Sequence, residues 1–436
     1  MKDKNIWIMN HYATVSYFRR GGRHYWFAKN LIKQGYKPTI FCANTRHNGG
    51  DIIKITDKKY ATGTTDGISY VFIKTTGYEG NGLQRIKNMW LFYKNFLRIA
   101  KKYAQVNGKP NIILASSVHP LTLVAGIKMA KRFDVPCICE VRDLWPESFV
   151  AYNIIKRNNP LLKLLYAGEK WIYKKADKLI FTMEGGSEYI TDKKWDKGNG
   201  GPIDLNKVHH INNGVDLEWF EYNKNHYVLE DEDLENNNFY KIVYTGSLRQ
   251  ANDSILKLLE VAKLFKTDGY EDIKFLIYGK GDEKEKIEKR CKDENLTNIK
   301  IKGHVDKKYI PYILSCCDLN ILNCSSWSVL KYGGSQNKLF EYLASGNPTI
   351  SGEDSKYSII NNNNCGISRR FETTEDLKKA ILEIKNLDND SKQGLKENVF
   401  RTAQDYDYTN LTNKLINIME SCDTKHEKDS SLSSTY

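Results

Sequence analysis

"NKLFEYLASGNPTISG", Asn337 to Gly352, reads as a helix followed directly by a short strand. Leu339, Phe340, Leu343 and Ala344 fall on one side at helical spacing, the stripe a helix lays against a sheet. Gly346-Asn347-Pro348 ends it, and "PTISG" is an apolar run too short for anything but a buried strand. The polar side carries Lys338 and Glu341, three residues apart. A helix feeding a short apolar strand is one turn of an α/β winding.

The winding repeats outward from this stretch. "YKIVYTG" (240–246), "IKFLIYG" (273–279), "IKIKGHV" (299–305) and "LNILN" (319–323) alternate with the helical patterns "SILKLLEVAKLF", "EKEKIEKRCKDE" and "YIPYILSCC". In the first half "NIWIMN" (5–10), "PTIFCAN", "NIILASS" (111–117), "CICEVRD" (137–143) and "KLIFTME" (178–184) alternate with "RHYWFAKNLIKQGY" and "PLTLVAGIKMAKRF". Such spacing is what parallel sheets covered on both faces require. At 436 residues the chain exceeds one ordinary core. The expectation is an α/β protein of two doubly wound, Rossmann-like domains facing across a cleft. Their expected bounds are 1–215 and 216–400, joined near the polar stretch 221–238. A helix over 401–421 would cross back to the first domain, and 422–436 would be a disordered tail.

Hydrophobic residues make up 40% of the chain, enough for folded domains. No apolar run reaches the roughly 20 residues a membrane span needs. The start "MKDKNIWIMN" lacks a signal-peptide layout, so a cytoplasmic protein is expected. Nine cysteines are scattered without a C-x-x-C pair, and Cys42, Cys137, Cys139 and Cys324 sit in strand-like runs as small hydrophobes. Residues 1–215 hold 35 Lys and Arg against 16 Asp and Glu; residues 216–436 hold 31 against 37. The basic first half suits an anionic partner.

Open α/β sheets bind ligands at the carboxyl ends of their strands. With Ser335 as the N-cap, a helix from Gln336 to Ser345 would point free N–H groups at an anion such as a diphosphate. Lys338 would meet the phosphates, and Glu341, about 5 Å further along the axis, would accept ribose hydroxyls. A plain Lys338–Glu341 surface pair is the competing account. In the first half, Gly21-Gly22 open a helix and allow close backbone approach to a phosphate, but no G-x-G-x-x-G fingerprint is present. His119 lies just past a strand, before a helix. Asp143 sits in "EVRDLWPES", placed to take a proton from an acceptor hydroxyl or to be neutralised by Arg142; both stand. The triplets "DED" (231–233), "DND" (388–390) and "DYD" (405–407) fall away from strand ends and read as solvated charge, so no metal is expected.

"NKLFEYLASGNPTIS", "EVRDLWPES" (140–148), "INNGVDLEWF" (211–220), "YTGS" (244–247) and "FLIYGKGDEKEKI" (275–287) together resemble the retaining glycosyltransferases of the GT-B fold, family 4. The nearest branch builds bacterial surface polysaccharides with amino-sugar donors. The resemblance implies transfer of an N-acetylated hexosamine from a UDP-sugar to a lipid-linked or oligosaccharide acceptor, without a metal or other cofactor. It gives Glu341 the ribose, Arg249 and Lys280 the diphosphate, and the backbone of Gly303, His304 and Val305 the base. His119 would meet the donor sugar near its reacting carbon. Two departures stand out: Gly333 occupies the first glutamate of the family's E-x7-E pattern, and Ser247 and Asn252 occupy its arginine and lysine positions. An S-x-N-K opening, Ser335-Gln336-Asn337-Lys338, takes the glutamate's place. The expected donor set is Gly22, Ser247, Arg249, Lys280, His304, Val305, Ser335, Asn337, Lys338 and Glu341, and the expected catalytic set is His119, Asp143 and Lys338.

"LQRIKNMWLFYKNFLRIAKKY" (83–103) puts Leu83, Ile86, Met89, Trp90, Tyr93, Leu97 and Ala100 on one face and Lys87, Lys94, Arg98 and Lys101 on another. With Arg19, Arg20 and Arg23 these would touch an anionic inner-membrane surface holding a lipid-diphosphate-linked saccharide. A core-packing helix with a solvated basic face is the alternative. Two other functions fit parts of the pattern: a nucleotide-sugar epimerase of the same fold, and a nucleic-acid-binding protein, which the charge allows but no recognition motif supports.

Overall fold

A computed structural model describes residues 4–433 apart from 57, 81, 152–153, 249–253 and 325–327. The chain divides into two compact units, 1–212 with 408–436, and 213–407. It leaves the first unit after Asn212 and returns at Tyr408, so the stretch 221–238 belongs to the second unit and the returning helix begins at 408, not 401.

The first unit is built on strands Asn5–Met9 (β1), Lys37–Ala43 (β2), Tyr60–Thr65 (β3), Ile68–Ile73 (β4), Ile112–Ser116 (β5), Cys137–Val141 (β6), Lys178–Phe181 (β7) and Val208–His210 (β8). Their order across the sheet is β3-β4-β2-β1-β5-β6-β7-β8, parallel except for the β3–β4 hairpin. β5, β6 and β7 are buried at every position, as a sheet covered on both faces demands. Among their charged residues, Glu140 has full compensation. Arg23 Nε donates to its Oε2 at 2.8 Å, Ser116 Oγ to its Oε1 at 2.7 Å, and His24 Nε2 lies 3.0 Å from Oε1. Burial pushes the Glu140 carboxyl up, but Arg23, His24 and Arg142 outweigh it and hold the pKa far below the usual range.

The helix Tyr408–Ser433 packs on the helix Arg23–Lys33, with Tyr408 edge-on to Phe27 at 5.6 Å. It runs on through the stretch expected to be a disordered tail. "CDTKHEKDSSLS" contains no Pro or Gly, so nothing in it stops a helix already nucleated at 408.

The second unit holds Tyr240–Ser247 (β9), Ile273–Lys280 (β10), Ile299–Gly303 (β11), Leu319–Asn323 (β12), Thr349–Ser351 (β13) and Gly366–Ser368 (β14), all parallel, in the order β11-β10-β9-β12-β13-β14. Successive β9 residues face opposite layers, Ile242 and Tyr244 against Leu258 and Phe265, Val243 against Ile313 and Leu343. Of the acidic triplets, 388–390 is exposed as expected, and each of the three also has a structural partner. Asp231 and Asp233 both bind Lys302 Nζ at 2.6 Å, Asp388 caps the helix Asn389–Asp405, and Asp407 accepts from Leu217 N at 2.9 Å. A half-buried ammonium and helix N–H groups left without an intrahelical partner are both satisfied by such carboxylates.

Candidate functional site

In the second unit the donor-type residues gather at the carboxyl edge of the sheet. Ser247 and Lys280 are register partners at the ends of β9 and β10, both exposed. Gly303 ends the neighbouring β11, and exposed His304 and half-buried Val305 follow it. Arg249 and Asn252 lie outside the described residues.

The helix of the opening stretch runs Asn337–Ala344, one residue shorter at each end than expected. Gln336, not Ser335, is its N-cap, and no side chain caps it. Ser335 is drawn away because its hydroxyl accepts from Asn213 N at 2.8 Å and its carbonyl from Asn213 Nδ2 at 2.6 Å. Exposed Asn337 is the first helical residue. The helix is locked to the sheet from beneath: fully buried Tyr342 accepts hydrogen bonds from Thr245 N at 2.9 Å and Thr245 Oγ1 at 3.1 Å.

Lys338 and Glu341 do not pair with each other. Lys338 Nζ sits 4.0 Å from the centroid of the Tyr244 ring, and desolvation pushes its pKa down to about 7. Glu341 instead binds Lys307 at 2.7 Å, four residues past the end of β11. The carboxylate expected at a ribose is therefore beside the His304–Val305 turn, with an exposed lysine as its present partner.

Gly333 has φ +90°, a conformation costly for any residue with a Cβ, which accounts for a glycine where the family has a glutamate. Glu353, just past β13, approaches the same loop. Its carboxylate accepts from Gly334 N–H, and a Cβ on Gly334 would lie 2.9 Å from Oε2. The residue is 6% exposed, Oε1 has no hydrogen-bond partner among the described residues, and burial raises its pKa to about 7. An acidic residue directly after the strand run "PTISG" was the signal for it.

In the first unit, His119 caps the helix Pro120–Phe133 and is wholly buried. Its Nε2 lies 2.6 Å from His11 Nδ1, and burial, with Arg85 adding to it, pushes its pKa down to about 3. His11, just past the end of β1, is likewise held neutral by burial and by His119. Sequence inspection passed over His11, although it stands after a strand as His119 does. Asp143 follows β6 and is exposed as a residue, yet its carboxyl is desolvated, which raises its pKa against the pull of Arg142 and Arg85. Trp145-Pro146 beside it is a cis peptide. Exposed Gly22, at φ +97°, is the N-cap of the helix Arg23–Lys33.

The basic residues divide. Arg19 and Arg20 are exposed, the latter 3.6 Å from Asp66. Arg23 is 5% exposed and committed to Glu140 and the carbonyls of Ile211 and Asn212, so it cannot touch a membrane. On the helix Leu83–Asn107 the core side is Phe92, Phe96, Ile99 and Tyr103, with Asn88 and Asn95 bonded to loop carbonyls. Leu83, Ile86 and Trp90 are 83%, 54% and 46% exposed, so this apolar stripe is not core packing. Lys87, Arg98 and Lys101 are exposed around it, and Lys94 lies 4.3 Å over the Trp90 ring.

Among the described residues no group of three or more His, Cys, Asp or Glu is placed to hold a metal ion, and no helix is long and apolar enough to cross a membrane.

Comparison with known proteins adds two family matches: Glycosyltransferase Family 4 over residues 25–219 and Glycosyl transferases group 1 over residues 240–386. No curated protein matches the chain by sequence. Similar solved structures include a glycosyltransferase from Rickettsia africae (18% identity, TM-score 0.61, covering 97% of this chain and 99% of that one). Anabaena HepE in complex with UDP is 11% identical at TM-score 0.61, with 97% and 100% covered. The α,α-trehalose 6-phosphate synthase of Burkholderia multivorans is 11% identical at TM-score 0.68, with 99% of both chains covered. These likenesses concern the fold.

Proposed function

The chain is a GT-B glycosyltransferase, with a family 4 segment followed by a group 1 segment, and on that premise we propose that it moves a sugar, an N-acetylated hexosamine, from a UDP-sugar to a lipid-linked or oligosaccharide acceptor with retention of configuration. The setting is bacterial surface polysaccharide synthesis, such as O-antigen or capsule, at the inner face of the cytoplasmic membrane. The observation that carries the donor half is the placing of Lys338, Glu341, Ser247, Lys280 and the Gly303–Val305 turn at neighbouring strand ends of one sheet. The Anabaena structure with UDP on the same fold supports it.

In this scheme the diphosphate lies at the start of the helix Asn337–Ala344. Lys338 and the free N–H groups there stabilise the charge that develops as the anomeric C–O bond breaks. The acceptor oxygen bonds to the anomeric carbon on the face the diphosphate leaves, and its proton passes to the departing phosphate oxygen. Glu341 exchanges Lys307 for ribose hydroxyls. Asp143 orients the acceptor hydroxyl; His119, wholly buried with Nε2 against His11, presents no exposed atom to the sugar. Charge stabilisation comes from the protein, so the scheme needs no metal.

The exposed Leu83–Ile86–Trp90 stripe among Lys87, Lys94, Arg98 and Lys101 favours a membrane-held acceptor. UDP-N-acetylglucosamine and GDP-mannose are compared by thermal shift, with Glu341→Ala alongside. A ligand that binds only the folded form raises the melting temperature. The UDP-sugar raising it for the native chain and less for Glu341→Ala is expected; equal shifts for both proteins would remove Glu341 from the ribose.

A further inference from the structure

A cavity of about 420 Å³ lies in the first unit between the helices Pro120–Phe133 and Pro160–Lys175. That is within the roughly 300–1,000 Å³ of small-ligand sites. Its walls are apolar, formed by Val124, Trp145, Leu164, Leu165, Gly168 and Trp171. It reaches from Ser117 and Asp143, at the carboxyl ends of β5 and β6, to Lys128 and Trp171. Both helices run back along the sheet from that edge, and the lining from Leu164 to Trp171 extends about 10 Å along its helix, the rise of seven residues.

The cavity is open to the outside, for Leu164 and Trp171 line it and are 70% and 39% exposed. Leu161, Leu164, Gly168 and Trp171 recur at spacings of three, four and three, one stripe along the outer side of their helix. Lys163, Lys174 and Lys175 are exposed around the stripe, and exposed Lys128 borders the cavity from the other helix. The one carboxyl in the deep wall, Glu169, accepts from the hydroxyls of Tyr173 and Tyr189 at 2.7 Å each, and burial pushes it up to about 8, so the wall carries no charge at neutral pH. Apolar walls and a polar end at Asp143, next to Arg142 whose buried Nε has no hydrogen-bond partner among the described residues, match an amphiphile with its anionic head at that end.

We propose that this cavity seats the first isoprenoid units of the lipid carrying the acceptor sugar, with the diphosphate near the Asp143 end. The proposal rests on the acceptor reading given above and places the lipid on the Pro160–Lys175 helix, apart from the helix Leu83–Asn107.

Gly168 gives a clean test. A Cβ built there meets nothing within 4 Å, and a helix interior favours most residues other than proline over glycine. Gly168→Trp should fill the cavity without unfolding the chain; Leu164→Glu, at an exposed wall position, should make it charged. Calorimetry with farnesyl diphosphate, with inorganic diphosphate as the head-group control, reads the tail directly. The native chain is expected to bind farnesyl diphosphate at least tenfold more tightly than inorganic diphosphate. Both variants should lose that tenfold while keeping UDP binding and the melting temperature. Equal affinity for the two probes, or full farnesyl diphosphate binding by both folded variants, would overturn the proposal. So would a native dimer that Gly168→Trp dissociates, which would make the stripe a self-association surface. Absence of UDP binding with tail binding intact would instead count against the nucleotide-sugar reading alone.

Discussion

The ammonium of Lys338 rests 4.0 Å from the centre of the Tyr244 ring, in a place desolvated enough to bring its pKa to about 7. The ring's negative face compensates that charge only weakly beside a carboxylate. A diphosphate arriving at the helix start would be a far stronger partner, and binding would restore an ordinary lysine pKa.

That coupling sets a pH dependence for donor binding. The ligand selects the protonated lysine, which is already dominant below pH 7 in the free protein and becomes scarce above it. Affinity for a UDP-sugar should be level from pH 6 to 7 and fall by up to about tenfold per pH unit from 7 to 9. Titration calorimetry across that range would show it, and Lys338→Met should give weaker binding with no such fall. A native profile flat through pH 9 would mean the diphosphate does not meet Lys338.

Arg23 gives the opposite kind of prediction. It was read with Arg19 and Arg20 as a surface cation, but its guanidinium lies against Glu140 in the core. Removing it leaves a buried carboxylate with the hydrogen bonds of His24 and Ser116 and the charge of Arg142, and breaking a buried pair from one side costs about 3–5 kcal/mol. Arg23→Ala should lower the melting temperature sharply, whereas Arg19→Ala should leave it within about a degree. Vesicle binding should follow the reverse order. A thermally unchanged Arg23→Ala would contradict the buried pairing.

Most strands could be placed from the sequence because a buried parallel strand is an uninterrupted apolar run, and "NIILASS" or "KFLIY" admits little else. The β3–β4 hairpin was overlooked although Asp66-Gly67, at φ +49° and +78°, is the dipeptide a two-residue hairpin turn wants. Its strand "YATGTT" is half polar, since it lies at the sheet edge, and so lacked the apolar signal. At the candidate site, strand-end positions such as Ser247 and Lys280 followed from topology. Partnerships did not. Lys307 takes Glu341 from another segment, Asn213 takes Ser335, and His11 faces His119 across 108 residues. The inward face of Leu83–Asn107 was not legible because two asparagines, which look like solvent residues, turn inward to bond loop carbonyls.

Glu169 predicts a stability that depends on pH. Burial raises its pKa from 4.5 to about 8, so between those values the folded chain keeps a proton that the unfolded chain releases. With more protons bound in the folded state, stability must fall as pH rises through that window, by up to about 1.4 kcal/mol per unit. Glu169→Gln keeps an acceptor for Tyr173 or Tyr189 but cannot ionise. Thermal scans should therefore show the variant more stable than the native chain at pH 8, with the advantage fading towards pH 5. A constant difference across pH would show that Glu169 is ionised in the folded protein.

Gly333 invites the substitution that would restore the family's pattern, and the structure argues that it fails. A glutamate at φ +90° pays a backbone cost of roughly 1–2 kcal/mol. It would also bring a second carboxylate to a loop where that of Glu353 already accepts from Gly334 N–H in 6% exposed surroundings. Two like charges there disfavour each other and would weaken an anionic donor's hold on the adjacent helix start. Gly333→Glu is expected to melt lower than the native chain and to bind a UDP-sugar at least tenfold more weakly. Gly333→Ala separates the two causes, since it carries the backbone cost without the charge and should lose stability with a smaller loss of binding. If Gly333→Glu instead bound donor more tightly, a carboxylate at 333 would be compatible with this loop.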